Sequence, residues 1–279
     1  MGAPSGPSRA EPPRHRRVSF RFGDSVDANW HRALPEFAAA ANAVSLMMPY
    51  VEPFVIRSMR DQLPHLDRLA DPLLAAQARA YIAQEAQHQA QHRRFNESIR
   101  AQVRGVGRLE RLLDWTYRTL WERSSDRFRL AFATASESAA YGVARWVERR
   151  HAELFTGADP KVAALYLWHL AEEVEHKSVA FDVYDARHRS RRPLAAAMVL
   201  SVILLAAFTV AGTVVGLIHQ RRLFNPFAVM HLVVWGFGFA FSELPNMFAS
   251  VLPGHHPSEF VDPTFFELYL LDIESRAAA

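Results

Sequence analysis

The chain contains no cysteine. Disulfides, thiol nucleophiles and iron–sulfur clusters are therefore excluded. Alternation of period two is also missing over any convincing length, so the sequence predicts an all-α protein. No large excess of one charge is present, since 32 Lys and Arg face 29 Asp and Glu. Half of the 279 residues are apolar, which is ample for a buried core.

Apolar residues are almost absent from residues 1–17, which hold four Pro and four Arg. Such a segment buries too little apolar surface to fold, so we expect a disordered basic tail. It also lacks the apolar core of a secretory signal. Residues 18–190 are expected to form the folded helical domain.

An internal repeat is the most informative feature of that domain. Residues 71–88 (DPLLAAQARAYIAQEAQH) and 159–176 (DPKVAALYLWHLAEEVEH) match at seven of eighteen positions. Each copy opens on Asp-Pro, which starts a helix because Asp caps free amides and Pro fits the first position. Each copy also carries Glu-x-x-His. Residues three apart share a helix face, so each repeat can offer a carboxylate and an imidazole together.

Two further acids each stand alone in an apolar stretch, Glu52 and Glu137. Buried carboxylates are costly unless they are paired or bind a cation. The order Glu, Glu-x-x-His, Glu, Glu-x-x-His is that of carboxylate-bridged two-metal helical bundles. The predicted metal ligands are Glu52, Glu85, His88, Glu137, Glu173 and His176.

Neighbouring residues have more than one interpretation. Because Pro53 follows Glu52, the first helix is either kinked there or begins just after Glu52, which would then act as a cap. His92 and Glu172 are candidates for extra ligands or for partners that hold a ligand imidazole. Tyr141, one turn after Glu137, either donates a hydrogen bond into the site or is satisfied elsewhere in the core.

Residues 193–245 are expected to form an apolar helical hairpin. No charged residue lies between Pro193 and Ile218, and residues 227–241 are apolar apart from His231. About 20 apolar residues suffice to span a bilayer. The hairpin therefore lies in or on a membrane, or packs as two buried helices on the bundle. We expect a cytoplasmic protein associated with or anchored in the inner membrane, with residues 246–279 resuming soluble character.

Arginines lie on both sides of the first apolar segment of this hairpin, at 187–192 and 221–222, and leave its orientation undecided. A basic run at such a boundary would attract anionic lipid. The basic residues follow no nucleic-acid recognition motif, so nucleic acid is not an expected partner.

The fold expected from these patterns is a ferritin-like four-helix bundle with a crossover helix and the C-terminal hairpin. The four bundle helices should cover about 34–62, 72–102, 126–154 and 160–187. Residues 108–123 should form the crossover helix.

Two segments carry a family resemblance, AYIAQEAQHQAQHRRFN and LYLWHLAEEVEHKSVAFDVY. They resemble the signature segments of a bacterial family of predicted metal-dependent hydrolases within the ferritin-like superfamily, and the resemblance covers roughly residues 40–270. It implies metal ligation by Glu85, His88, Glu137, Glu173 and His176, with Glu52 in the first-helix position. Val51 and Pro53 depart from the family's pattern around that glutamate.

The expected cofactor is two metal ions, iron or manganese first and zinc as the alternative. The ligand set favours O₂ activation on an apolar small-molecule substrate. Hydrolysis by a metal-activated water, without oxygen chemistry, is the second interpretation. A non-catalytic metal-binding membrane protein is the third. The substrate and the oligomeric state are not readable from the sequence.

Overall fold

The computed structural model describes residues 11–14, 16, 18–22, 26–69, 71–266 and 268–271. Across these ranges the regular secondary structure is helical and contains no strand, which confirms the all-α class. The α-helices are α1 (Pro35–Arg60), α2 (Leu63–Arg68), α3 (Pro72–Gln102), α4 (Val106–Arg123), α5 (Asp126–Glu148), α6 (His151–Phe155), α7 (Pro160–His176), α8 (Val179–Arg187), α9 (Arg191–His219) and α10 (Pro226–Ala249).

Helices α3 and α7 begin at the two Asp-Pro pairs of the repeat. The Asp71 carboxylate accepts a hydrogen bond from the Leu74 amide at 3.0 Å, and Asp159 accepts one from the Val162 amide at 3.2 Å. Both prolines stand at the start of their helices, where a missing N–H costs nothing. The repeat therefore sets the register of the two helices that carry Glu-x-x-His.

The other predicted helices differ in detail from the structure. The helix expected over 160–187 is divided into α7 and α8 at Lys177 and Ser178, and the Ser178 carbonyl starts α8 by accepting from the Asp182 amide at 2.8 Å. The helix expected over 126–154 ends at Glu148 and is followed by α6. The predicted crossover helix is present as α4.

Helix α1 runs without interruption through Pro49 and Pro53. Glu52 consequently lies inside the helix and is not a cap at its N-terminus. Its side chain is buried, with 3% of the residue exposed. Of the two alternatives for the first helix, the one that starts it after Glu52 is wrong.

Helix α9 packs closely against α1 through small residues. A Cβ atom added to Gly212 would lie 2.5 Å from the Ala43 Cβ, and one added to Gly216 would lie 2.9 Å from the Ala39 Cβ. Glycine and alanine four residues apart on facing helices allow such close approach, as they do between helices in membranes. Helix α9 thereby covers the side of α1 that faces away from α3.

Among the described residues, three helical stretches are long and apolar enough to cross a membrane: Pro35–Arg68, Arg191–His219 and Pro226–Ala249. The most apolar window of the first is 56% buried within the protein, whereas those of the other two are 28% and 17% buried. The first stretch, which contains α1, is thus largely internal. Helices α9 and α10 occupy the region predicted as a hairpin, pack mainly against α1 and α5, and leave much of their apolar surface exposed.

Glutamine side chains of α3 bind the backbone of the N-terminal segment. Gln87 donates to the Arg16 carbonyl at 2.6 Å and accepts from the Val18 amide at 3.2 Å, and Gln91 donates to the Val18 carbonyl at 2.9 Å. Most of the tail predicted over residues 1–17 lies outside the described residues. The part that is described has an extended backbone and lies against α3, beside Glu172 and Glu175 of α7.

Candidate metal centre

The six predicted ligands converge between α1, α3, α5 and α7. Each is at most 5% exposed. Ligand atoms of Glu85, His88, Glu173 and His176 all lie within 4.8 Å of one another. The two halves of the sequence repeat therefore face each other across one buried site, and Glu52 and Glu137 complete it from the other two helices.

Glu85 and Glu173 occupy the middle of the cluster. Glu85 Oε1 lies 3.5 Å from His88 Nδ1 and 2.9 Å from His176 Nδ1. Glu173 contacts the same two nitrogens at 3.5 and 3.7 Å. Both carboxylates thus lie within 3.7 Å of both imidazoles, and the four side chains together could hold a metal ion. At one end, Glu137 Oε2 lies 3.6 Å from His176 Nδ1.

Each imidazole is held by a residue of the opposite repeat. His88 Nε2 donates to Glu172 Oε2 at 3.0 Å, and His176 Nε2 donates to Gln84 Oε1 at 2.8 Å. Gln84 and Glu172 each precede the glutamate of their own Glu-x-x-His motif. With the proton on Nε2, the Nδ1 lone pair of both rings faces the centre, as in metal-binding histidines held by outer partners.

Glu172 thus contacts His88, as expected if it is a partner of a ligand imidazole, one of its two sequence interpretations, while Gln84 was missed. A glutamine in an amphipathic helix is common on solvated faces, and nothing in its spacing marks it as inward. Only the repeat alignment, which sets Gln84 opposite Glu172, carried a signal.

A tyrosine does reach the site, but it is Tyr81 and not Tyr141. The Tyr81 hydroxyl donates to Glu137 Oε1 at 2.6 Å. The Tyr141 hydroxyl instead donates to Asp262 Oδ1 at 3.1 Å, because the C-terminal segment supplies an acceptor outside the cluster. Tyr81 stands four residues before Glu85 on one helix face, a spacing that could have indicated it.

A third histidine, His169, also lies at the cluster and was not predicted. Its Nε2 atom is 2.8 Å from Glu173 Oε1 and 3.9 Å from Glu52 Oε1. Ligand atoms of Glu52, His88 and His169 form a second group within 4.8 Å of one another. His92 stands behind it, with its Nε2 2.6 Å from His169 Nδ1. The ring of His169 thus lies between His92 and the predicted ligand Glu173.

Every predicted ligand has a buried polar atom without a hydrogen-bond partner. Buried polar atoms are nearly always hydrogen-bonded, and a buried carboxylate requires a counter-charge. Carboxylate oxygen together with imidazole nitrogen suits iron, manganese and zinc. The residues therefore fit a metal centre. The unpartnered atoms are Glu52 Oε1 and Oε2, Glu85 Oε1, His88 Nδ1, Glu137 Oε2, Glu173 Oε2 and His176 Nδ1.

Packing four acids together perturbs their proton affinities. Burial, and then the nearby charges of Glu173 and Glu85, raise the pKa of Glu137 to about 8. Burial alone would lower the pKa of His88, but its contacts with Glu172 and Glu85 outweigh burial and raise it to about 9. The metal-free cluster must therefore take up protons, which bound cations would displace.

Comparison with known proteins gives a family match. Residues 14–260 match the profile of a family described as predicted metal-dependent hydrolase. The matched range includes all the cluster residues and the α9–α10 hairpin. No curated protein and no solved structure gives a significant match.

Proposed function

The chain belongs to the family of predicted metal-dependent hydrolases, and on that premise we propose that it is an enzyme that works with two metal ions. The observation that carries this proposal is the set of buried carboxylate and imidazole atoms that converge without hydrogen-bond partners. The proposed ligands are Glu52, Glu85, His88, Glu137, Glu173 and His176.

The surrounding residues prepare the site before any ion binds. Tyr81 occupies one oxygen of Glu137 and leaves the other turned inward. Gln84 and Glu172 fix the tautomer and the orientation of the two motif imidazoles. Such preorganisation lowers the cost of assembling the ligands. The chemistry that two ions in this site would supply is Lewis-acid activation of water and, with iron or manganese, reduction of O₂.

Between these two chemistries we propose oxidation of an apolar small molecule with O₂. Four carboxylates and two imidazoles presented by four helices are the donor set of di-iron and di-manganese proteins of the ferritin-like type. The large apolar surface of α9 and α10 supports an apolar substrate, since such a molecule would partition there.

Hydrolysis is a second candidate, and the description of the family favours it. Zinc or manganese in the same ligands would serve that reaction by lowering the pKa of a water and by polarising the bond under attack. It would require no O₂ and no change in the oxidation state of the ions.

Oxygen dependence distinguishes the two candidates. The full chain loaded anaerobically with iron(II) is mixed with O₂-containing buffer while O₂ uptake and the optical spectrum are recorded. Oxidation predicts O₂ uptake in proportion to bound iron, lost in Glu85→Ala. Hydrolysis predicts that the iron-loaded chain takes up no more O₂ than free iron does. It also predicts that the zinc- or manganese-loaded chain cleaves a p-nitrophenyl acyl ester in the absence of O₂.

We further propose that the α9–α10 hairpin lies in the lipid of the bacterial inner membrane, with the bundle on the cytoplasmic side. Helix α9 has 29 residues and α10 has 24. At about 1.5 Å per residue both exceed the roughly 30 Å of a bilayer's hydrocarbon core. The exposed apolar side chains include Val199, Ile203, Val210, Val214, Ile218, Phe227, Val234, Phe237 and Phe241.

The polar residues of α10 support a lipid-facing outer surface because they turn towards the bundle. His231 Nδ1 lies 2.5 Å from Glu36 Oε1, and Trp235 donates to Glu153 at 3.0 Å. The fully buried Glu243 accepts from Arg149, the residue that follows α5, at 2.9 Å. A helix that exposed its outer face to water would have the opposite arrangement.

Vesicle flotation tests this placement. After detergent removal with phosphatidylglycerol vesicles, the full chain should float with the lipid. The double substitution Phe237→Asp with Phe241→Asp should reduce flotation, since acids are costly in hydrocarbon. Leu112→Asp with Trp115→Asp, on the exposed side of α4, is the matched control and should float as wild type does. Protein that remains at the bottom of the gradient in every case would contradict the proposal.

A further inference from the structure

A chain of hydrogen bonds behind the site determines which nitrogen of His169 carries the proton. It begins at Asn96, whose amide nitrogen donates to the Ser45 carbonyl at 2.8 Å. This fixes the amide orientation, so Asn96 Oδ1 accepts from Ser45 Oγ at 2.6 Å. Serine has one hydroxyl proton, and that proton is now used. His92 Nδ1, 2.8 Å from Ser45 Oγ, must therefore be the donor of its own contact.

The next link follows from the proton inventory of imidazole. A neutral ring carries one N–H and one lone pair, and tautomers are assigned from such networks. With the proton on Nδ1, His92 Nε2 can only accept, so His169 Nδ1 donates to it across 2.6 Å. The other nitrogen of His169, Nε2, then presents a lone pair to the cluster.

That lone pair faces carboxylate oxygens. Glu173 Oε1 lies 2.8 Å away and Glu52 Oε1 lies 3.9 Å away. Both oxygens of Glu52 are buried without a hydrogen-bond partner. A nitrogen lone pair and a carboxylate at these distances repel each other unless a cation or a shared proton lies between them.

The internal repeat sets His169 apart from its counterpart. Position 169 corresponds to position 81, because the two repeats are offset by 88 residues. Tyr81 gives its proton to Glu137 and so acts as a partner of a ligand. His169 has no proton to give on that side and faces Glu52 with a donor atom for metal. The two ends of an otherwise symmetric site therefore differ.

We propose that His169 Nε2 is a seventh metal ligand, which makes the two ion sites unequal. This inference rests on the two-metal function proposed above. One end holds Glu52, His88 and His169, the other holds Glu137 and His176, and Glu85 and Glu173 are shared. The end with two imidazoles binds its ion more tightly and favours metals that prefer nitrogen, whereas the other end has one imidazole beside the same number of carboxylates.

Cobalt(II) provides a direct count of the histidine ligands. The full chain is loaded with cobalt(II) chloride alone and examined by proton NMR in H₂O and D₂O. The ring N–H of each ligating histidine gives a hyperfine-shifted signal that disappears in D₂O. We expect three such signals, from His88, His169 and His176. Two signals with cobalt bound would overturn the inference and leave the two-metal function standing, while failure to bind cobalt would overturn both.

A substitution drawn from the repeat tests the assignment. His169→Tyr installs the residue of the equivalent position and keeps a hydrogen-bond donor beside the carboxylates. It should remove one of the three signals and lower the affinity for one of the two cobalt ions at least roughly tenfold. Loss of a mere outer partner of a ligand already lowers metal affinity by that factor. His151→Tyr, which changes a histidine stacked on Phe265 outside the site, should keep all three. Unchanged signals and affinities in His169→Tyr would refute the ligand role.

Discussion

At the scale of single residues, the site depends on hydrogen bonds between the two repeats, since each repeat supplies the residue that holds the histidine of the other. Gln84 holds His176, and its amide nitrogen is fixed in turn by the Glu175 carboxylate at 3.0 Å. Without Gln84 the His176 ring would lose its only acceptor at Nε2 and could adopt the wrong tautomer. The side chain therefore acts on the metal without touching it.

We predict that Gln84→Ala weakens metal binding by about 10–100-fold while the fold is retained, the usual cost of losing an outer partner. The affinity is measured by titrating the metal-free protein with manganese(II) or zinc(II). Gln89→Ala, on the same helix but outside the cluster, is the matched control. Equal affinities for the two variants would show that Gln84 does not orient a ligand.

The charged ligands could be predicted from the sequence, whereas their neutral neighbours could not. Burying a lone carboxylate in an apolar stretch costs free energy unless it has a partner, and this cost alone marked Glu52 and Glu137 as candidate ligands. Tyr81 and Gln84 carry no such cost on a helix surface, so only weaker signals pointed to them, the spacing of Tyr81 before Glu85 and the alignment of Gln84 with Glu172 in the repeat. His169 lies one turn before Glu173, a spacing that contains a signal, but its neighbours in the sequence are apolar and suggested a core position.

At the scale of helices, the close approach of α1 and α9 positions Glu52. Gly212 faces Ala43 on the helix that carries this ligand, nine residues before it. Side chains at this contact would push α1 away from α9 and disturb its packing against α3 and α5. The glycines of α9 are thus part of the structure that supports the metal centre.

We predict that Gly212→Ala lowers the free energy of unfolding by about 1–3 kcal/mol, because the added Cβ would lie 2.5 Å from Ala43. Gly236→Ala on α10 is the matched control, since no heavy atom lies within 4 Å of its added Cβ. That substitution should be neutral or should stabilise the helix by roughly 0.5–1 kcal/mol. Denaturation of both variants in the same detergent provides the comparison, and equal stabilities would contradict the close packing.

Helix bounds were predictable where a residue type dictates the start. Helix α3 spans the expected 72–102, because Asp71 and Pro72 mark its N-terminus unambiguously. The break between α7 and α8 falls at Lys177 and Ser178, where neither Pro nor Gly stands, so local sequence carried no sign of it. Tertiary packing of α8 against α3 and α5 decides that break.

At the scale of the whole molecule, the N-terminal segment closes one side of the site. Arg16 binds Glu175 through both of its terminal nitrogens, at 2.8 and 2.9 Å, and lies 3.4 Å from Glu172. Glu172 is the residue that holds His88. A segment more than 150 residues away in the sequence thus supports an imidazole of the centre.

We predict that Arg16→Ala lowers the free energy of unfolding by about 1.5–3 kcal/mol, because it removes the guanidinium that contacts Glu175 and the buried Glu172. Its side chain is only 9% exposed in this contact. Arg79→Ala is the matched control, since Arg79 and Asp67 are both about half exposed and such pairs contribute at most about 1 kcal/mol. Chemical denaturation measures both, and equal effects would contradict a supporting role for the N-terminal segment.

Elemental analysis of the purified full-length protein tests the central claim most directly. Wild type is compared with the double variant Glu85→Ala with His176→Ala, which removes one shared carboxylate and one imidazole. The two-metal account predicts about two iron or manganese ions per wild-type chain and their loss from the double variant. No transition metal in wild type, or the same metal content in both proteins, would contradict it.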